Sequence, residues 1–163
     1  MRDILFSGKT KDGKWVEGDL ITTKPNKIDG SVVAWIKPKS ILGLGAISTD
    51  TGHFAEVIPG TVGQYTGLKD KNDKMIFEGD IATSEIIITG SKNGYRGNYK
   101  ATLKSEIFYN KENCRYEMRA INVECDPEIR WALFDLEKEH TCYIPKSIEV
   151  IENITDNPEL LET

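Results

Sequence analysis

Residues Thr61 to Ala82 read TVGQYTGLKDKNDKMIFEGDIA, and their interpretation decides the fold. Val62 and Tyr65 are strand formers, whereas Lys69-Asp70-Lys71-Asn72-Asp73-Lys74 is an unbroken polar run that must turn in solvent. Asn72-Asp73 is the predicted tip, because Asn and Asp tolerate the left-handed backbone that a tight hairpin demands. Met75-Ile76-Phe77 returns as a strand, Gly79-Asp80 interrupts it, and Ile81 opens the next. A shorter echo, GKTKDGKWVEGDLI, begins at Gly8 with a polar turn at Asp12-Gly13, then Lys, apolar residues, Glu-Gly-Asp and strand. The later copy has one extra residue on each side of its tip. A hairpin lengthened by a pair keeps its register, whereas one residue added to a single arm would swap faces, so the two stretches read as a duplicated hairpin.

Working outward, Ile4 to Phe6 and Trp15 to Thr22 flank the first hairpin, and Pro25-Asn26 with Asp29-Gly30 mark a loop and a turn. Ser31 to Ile36 is a β-branched and aromatic run too short for a helix, ended by Pro38. Ser40 to Gly52 is a Gly-, Ser- and Thr-rich surface loop, and its Gly43-Leu44-Gly45-Ala46-Ile47-Ser48 is a broken phosphate-binding pattern without the helix and acidic residue that chemistry needs. His53 to Ile58 is a strand closed by Pro59-Gly60. That pair is the predicted boundary between an N-terminal β subdomain, 1–59, and a C-terminal one, 60–163, which carries the second Glu-Gly-Asp hairpin and a short helical turn at its end.

Beyond Ala82, Ile86-Ile87-Ile88 suits a two-sided interior or an interface rather than a solvated face. Gly90 to Asn98 is a flexible polar connection. Lys100 to Tyr109 and Arg115 to Val123 form a long hairpin around Asn110-Lys111-Glu112-Asn113. Residues 127–138 support both a helix, started by Asp126-Pro127, and a strand, through the alternation of Ile129, Trp131 and Leu133; the alternation tips the balance toward strand. Ile148 to Ile151 is a strand, and Asn157 to Leu161 a single capped helical turn. The expectation is an all-β fold, mainly antiparallel with little helix, in two small subdomains, the second a barrel-like or strongly twisted sheet with a long hairpin.

Of 163 residues, 39% are hydrophobic and 29% charged, with a net charge of -5, which describes a soluble acidic protein. No apolar run approaches the roughly 20 residues that cross a bilayer, and Met1-Arg2-Asp3-Ile4 lacks an apolar signal core, so a cytoplasmic location is expected. Cys114, Cys125 and Cys142 are odd in number and lack CxxC pairing; reduced, mostly buried thiols are expected, with neither a disulfide framework nor a zinc site.

Thr61 to Asn72, Ile76 to Ile81, Ile148 to Ile151 and Asp156 to Leu161 together resemble the YopX family, found in phages and in prophages of bacterial genomes. Two positions depart from its pattern: Asp73 stands where Gly usually follows Asn72, and Glu152 where Gly precedes Asn153-Ile154. The family has no assigned activity and no catalytic residues to carry over, so the resemblance implies a mostly β fold in a phage context, inside a bacterial host cell.

Few residues could carry chemistry. Glu17-Gly18-Asp19 and Glu78-Gly79-Asp80 could each point two carboxylates to one strand face, but a hard cation wants six or more oxygens. Gly as a bend and Asp as an acceptor for the following backbone is the stronger expectation. His140-Thr141-Cys142 offers a Cys-His pair without a third orienting group. Hence no catalytic residue, metal or cofactor is expected, and no enzyme. Between Lys92 and Arg119 lie Lys92, Arg96, Lys100, Lys104, Lys111, Arg115 and Arg119 against Glu106, Glu112 and Glu117, while Glu149 to Thr163 holds acids and no Lys or Arg. With its interleaved tyrosines that hairpin is a possible single-strand nucleic-acid face, with Lys92, Arg96, Tyr99, Lys100, Lys104, Arg115 and Arg119 as contacts. The favoured expectation is instead a homo-oligomer that also binds a phage or host protein, its basic segment meeting the acidic tail of another copy, with no membrane partner.

Overall fold

The computed structural model describes residues 3–26, 30–38, 54–92, 95–125, 127 and 141–161, of which 88, 90–92, 95, 96, 141, 142 and 161 are described by backbone alone. The described chain is antiparallel β, with no α-helix among those residues. It divides into two compact units, Met1–Gly67 and Leu68–Thr163.

In the first unit β1 (Phe6–Lys9), β2 (Trp15–Thr22), β3 (Ala34–Pro38) and β4 (Ala55–Val57) are followed by a 3-10 turn, Pro59–Thr61, and by β5 (Gly63–Lys69). The strands lie in the order β4-β3-β2-β1-β5, and β6 (Met75–Phe77) follows β5 past the division through the second polar hairpin. Period-2 alternation sets the faces: along β2, Val16 and Gly18 are buried while Glu17 and Asp19 are exposed. Val16, Ala34, Ile36 and Val57 form the core, with Phe6, Leu20, Ala55 and Val62 against it. Full burial of side chains such as Ile36 and Val57 contributes about 1.5–3 kcal/mol each. Gly18 is required by contact: a Cβ there would lie 1.9 Å from the Lys37 carbonyl oxygen on β3.

The second unit contains β7 (Asp80–Lys92), β8 (Tyr95–Asn110), β9 (Arg115–Glu124), β10 (Thr141–Cys142), β11 (Glu149–Asn153) and a closing 3-10 turn, Pro158–Leu161. Its sheet runs β10-β9-β8-β7-β11. One face packs Ala82, Ala101, Leu103, Ile107, Met118, Val123 and Val150 with Ile76 and Ile148. The strands are irregular at two places, between Lys104 and Ser105 in the β8–β9 ladder and between Val150 and Glu152 in β11.

The two polar tips fold alike. In the first, Thr10 N–H donates to the Lys14 carbonyl and Gly13 N–H to that of Thr10; in the second, Asp70 N–H donates to Lys74 and Asp73 N–H to Asp70. Gly13 (φ 85°) and Asp73 (φ 63°) occupy the same left-handed position. The Glu-Gly-Asp copies then diverge, since Gly18 stays inside β2 whereas Glu78-Gly79 turns between β6 and β7 with Gly79 at φ 85°.

Three expectations need correction. Gly90 to Asn98 is not a loose connection, because β7 and β8 stay paired out to Lys92↔Tyr95. Gly90 faces Gly97 across the ladder, and Asn93-Gly94, between the arms, is the strongest two-residue hairpin signal a sequence offers. The β8–β9 turn is Lys111 to Cys114 rather than 110–113, and it places Cys114 in the open, in the left-handed region (φ 51°). Asp80 accepts the N–H of the preceding Phe77 at 2.8 Å, where a following one is expected. Residues 128–140, residues 39–53 with the loop expected from Ser40 to Gly52, His53, His140 and the Cys142 side chain lie outside the described residues.

Candidate interaction surface

The basic hairpin resolves into two faces. On β8, Ala101, Leu103, Ser105 and Ile107 are buried toward the core, which places Tyr99 on that side of the strand and Lys100 and Lys104 on the other. The β8–β9 register sets Glu106 beside Arg119, Phe108 beside Glu117 and Asn110 beside Arg115, so the arginines share the outer face with the two lysines. Lys92 and Arg96 pair near the hairpin end, with Ser91 opposite Arg96 and Lys92 opposite Tyr95; their side chains lie outside the described residues. The ladder therefore gathers Lys100, Lys104, Arg115 and Arg119 and turns Tyr99 away from them.

Every one of those four cations has a carboxylate beside it. Lys100 Nζ lies 3.3 Å from Glu85, Lys104 Nζ 3.5 Å from Glu152, and Arg115 Nε 2.6 Å from Glu117. Arg119 bonds Glu106 and stacks 5.2 Å from the Phe108 ring centroid, while Arg115 also donates to the Tyr143 hydroxyl at 2.7 Å. Four positive and four negative groups cancel; the exposed Lys100–Glu85 pair contributes only about 0–1 kcal/mol, whereas Glu106 and Glu117 are buried beneath their arginines. Glu152 of the acidic tail is thus already met by Lys104 within the same copy. Likewise Glu149 pairs with Lys71 at 2.6 Å, which draws the carboxyl down and the ammonium up.

Glu117 is the most constrained of these acids. Its carboxylate accepts Asn110 Nδ2 at 2.7 Å, Asn113 Nδ2 at 2.9 Å and Arg115 Nε at 2.6 Å, all from its own hairpin. The Asn110 hydrogen bond, with those of Arg115 and Asn113, outweighs desolvation and holds the carboxyl at about 2. Asn110 Oδ1 meanwhile caps the turn by accepting Glu112 and Asn113 N–H groups. An asparagine just before a turn and another within it, with Glu four residues after the second, was the sequence signal for this cage.

Two buried aspartates anchor β11. Asp70 Oδ1 accepts N–H bonds from Asn72 (2.8 Å) and Lys74 (2.9 Å), and Oδ2 accepts Val150 N–H at 3.0 Å. Burial raises its pKa, but the Val150, Lys74 and Asn72 amides outweigh that and leave it below the ordinary carboxylate value. Asp80 accepts Asn153 Nδ2 at 3.1 Å through its other oxygen, and Ile154 N–H donates to the Gly79 carbonyl at 2.8 Å. Asp80 is therefore a structural acceptor, as its Glu-Gly-Asp context predicts.

The apolar run 86–88 is split by the strand. Ile86 packs against the core cluster, whereas Ile87 on the outer face is 72% exposed. β11 pairs with β7 only up to Thr83, so among the described residues no strand covers that edge of β7 from Ser84 onward. The β8–β9 ladder begins at Thr102, which leaves Ile87 to Lys92 and Tyr95 to Lys100 as a two-stranded ribbon.

Fold and surface define an antiparallel β protein of two units in which Lys100, Lys104, Arg115 and Arg119 of the basic hairpin each have a carboxylate partner. The chain belongs to the YopX protein family, which it matches over residues 7–162. It is also similar to the solved structure of protein EF1440 from Enterococcus faecalis, at 23% identity over 99% of each chain and a TM-score of 0.40. No curated protein matches it.

Proposed function

We propose that this is a phage- or prophage-encoded, non-enzymatic β protein of the host cytoplasm that acts by self-association and by binding a protein partner. The observation that carries the proposal is the β7–β8 ribbon, which among the described residues leaves an uncovered strand edge beside the exposed Ile87. Two-stranded ribbons are marginally stable alone in water, and an uncovered edge is a template for another chain. The resemblance of its quoted motifs to a phage family supports the biological setting. The ion-paired outer face favours a protein partner over single-stranded nucleic acid, because a phosphate backbone would have to displace four carboxylates.

Light scattering of the purified chain across the micromolar range tests the proposal: a mass above that of one chain is expected, and a monomer throughout refutes it. Affinity capture from an induced host, with nuclease treatment in parallel, separates the classes of partner. Proteins retained after nuclease support a protein partner, and loss of everything supports nucleic acid.

A further inference from the structure

We infer that the pairing edge is β7 and that its occupant is β7 of a second copy, in a two-fold antiparallel register centred on Ile87. This rests on the self-association proposed above. The two edges of the ribbon differ in kind. The β7 edge carries Ile86, Ile87, Ile88 and Thr89 without a charge, a proline or a described bulge. The β8 edge carries Arg96, Gly97, Asn98, Tyr99 and Lys100, so two weak strand formers and one strong one stand between two cations. Charged edge residues, Lys above all, are the usual device against edge pairing; on β7 they stand only at the ends of the uncovered stretch, at Glu85 and Lys92, whereas on β8 Arg96 and Lys100 flank its middle.

Charge selects the register and the partner. An antiparallel pair about Ile87 sets Ile86 opposite Ile88 of the partner subunit and Glu85 opposite Thr89 of the partner subunit, so no like charges face one another. The same operation on β8, centred on Asn98, would place Arg96 opposite Lys100 of the partner subunit. A two-fold contact also closes on itself, whereas a head-to-tail contact of β7 with β8 would propagate. At the axis, the two Ile87 side chains cover one another on the face where each is now 72% exposed. One added strand buries less than the roughly 1,000 Å² of a stable interface, so the dimer is reversible and concentration-dependent.

The test uses the full chain with Cys114, Cys125 and Cys142 changed to Ser. Opposed residues in an antiparallel pair have Cα atoms about 4.5 or 5.5 Å apart, both within disulfide reach. Ile87→Cys is therefore expected to give a covalent dimer with oxidised glutathione, and Asn98→Cys is not. In the otherwise natural chain, Ile87→Lys places two ammonium groups on the axis and is expected to raise the dimer dissociation constant about tenfold or more, whereas Asn98→Lys leaves it unchanged. Ile87 lies outside the core, so circular dichroism is expected to match the parent. If the parent self-associates but Ile87→Lys does so equally and Ile87→Cys fails to cross-link, the inference is overturned while self-association stands. A monomeric parent overturns both, and association only in the presence of an added extended peptide assigns the edge to a foreign strand and overturns the second-copy inference.

Discussion

Replacing Asp70 by Ala removes the acceptor of three backbone N–H groups, and the structure lets the three losses be weighed separately. Asn72 and Lys74 are exposed, so water can replace the carboxylate there, and each lost bond costs about 0.5–1.5 kcal/mol. Val150 is 7% exposed, and its N–H donates to Asp70 Oδ2; leaving that buried donor unsatisfied costs about 1–3 kcal/mol. The expected destabilisation is about 2–6 kcal/mol. The other tip provides the control, since Thr10 Oγ1 accepts only the exposed Lys14 N–H at 3.0 Å from the backbone, and Thr10→Ala is expected to cost about 1 kcal/mol or less. Urea unfolding followed by far-ultraviolet circular dichroism measures both, and hydrogen exchange at β11 localises the loss. A cost below about 1 kcal/mol for Asp70→Ala, or parity with Thr10→Ala, would refute the idea that this carboxylate fastens β11.

Further outcomes follow from other residues. Asp73→Gly relieves a left-handed backbone at φ 63° and is expected to raise stability by up to about 1 kcal/mol, partly offset by the added freedom of the unfolded chain; a lower urea midpoint would contradict it. Gly18→Ala drives a Cβ into the Lys37 carbonyl and is expected to cost about 1–3 kcal/mol or more in the first unit, by the same unfolding measurement. Glu117 has a depressed pKa, so its stabilisation is fully present above pH 4.5 and is lost as pH falls through about 2. The stability gap between the parent and Glu117→Gln should therefore be flat above pH 4.5 and close between there and about 2; a gap that persists at pH 2 would count against the cage. Labelled single-stranded DNA is expected to bind negligibly even at low salt, where phosphate attraction is largest, and tight binding there would revive the nucleic-acid alternative.

What could be read in advance was local. Both polar tips, the break at Gly79-Asp80 and the returning strands depend on residues within a few positions of each other, where turn chemistry and period-2 patterning act directly. The glycines at 90 and 97 misled because strand propensity treats each alone, whereas the ladder sets them opposite one another and stays paired out to Lys92↔Tyr95. The basic segment between Lys92 and Arg119 was visible as composition. Its neutralisation was not, because Glu85 and Glu152 come from other strands and only the register brings them to Lys100 and Lys104. Asp70 and Val150 are 80 positions apart, and nothing in either neighbourhood announces the bond.

β11 occupies the same side of β7 on which the uncovered stretch begins, pairing with it from Asp80 to Thr83. It acts as a stopper on a ragged seam, and what keeps the stopper in place is ionised oxygen on Asp70 and hydrogen bonding at Asp80. Acid strong enough to protonate Asp70 would weaken that hold, and release of β11 would lengthen the stretch of β7 without a described neighbour by four residues, widening the edge on which the proposed self-association rests. Precipitation on acidification, starting before the rest of the sheet melts, is the behaviour such a plug imposes.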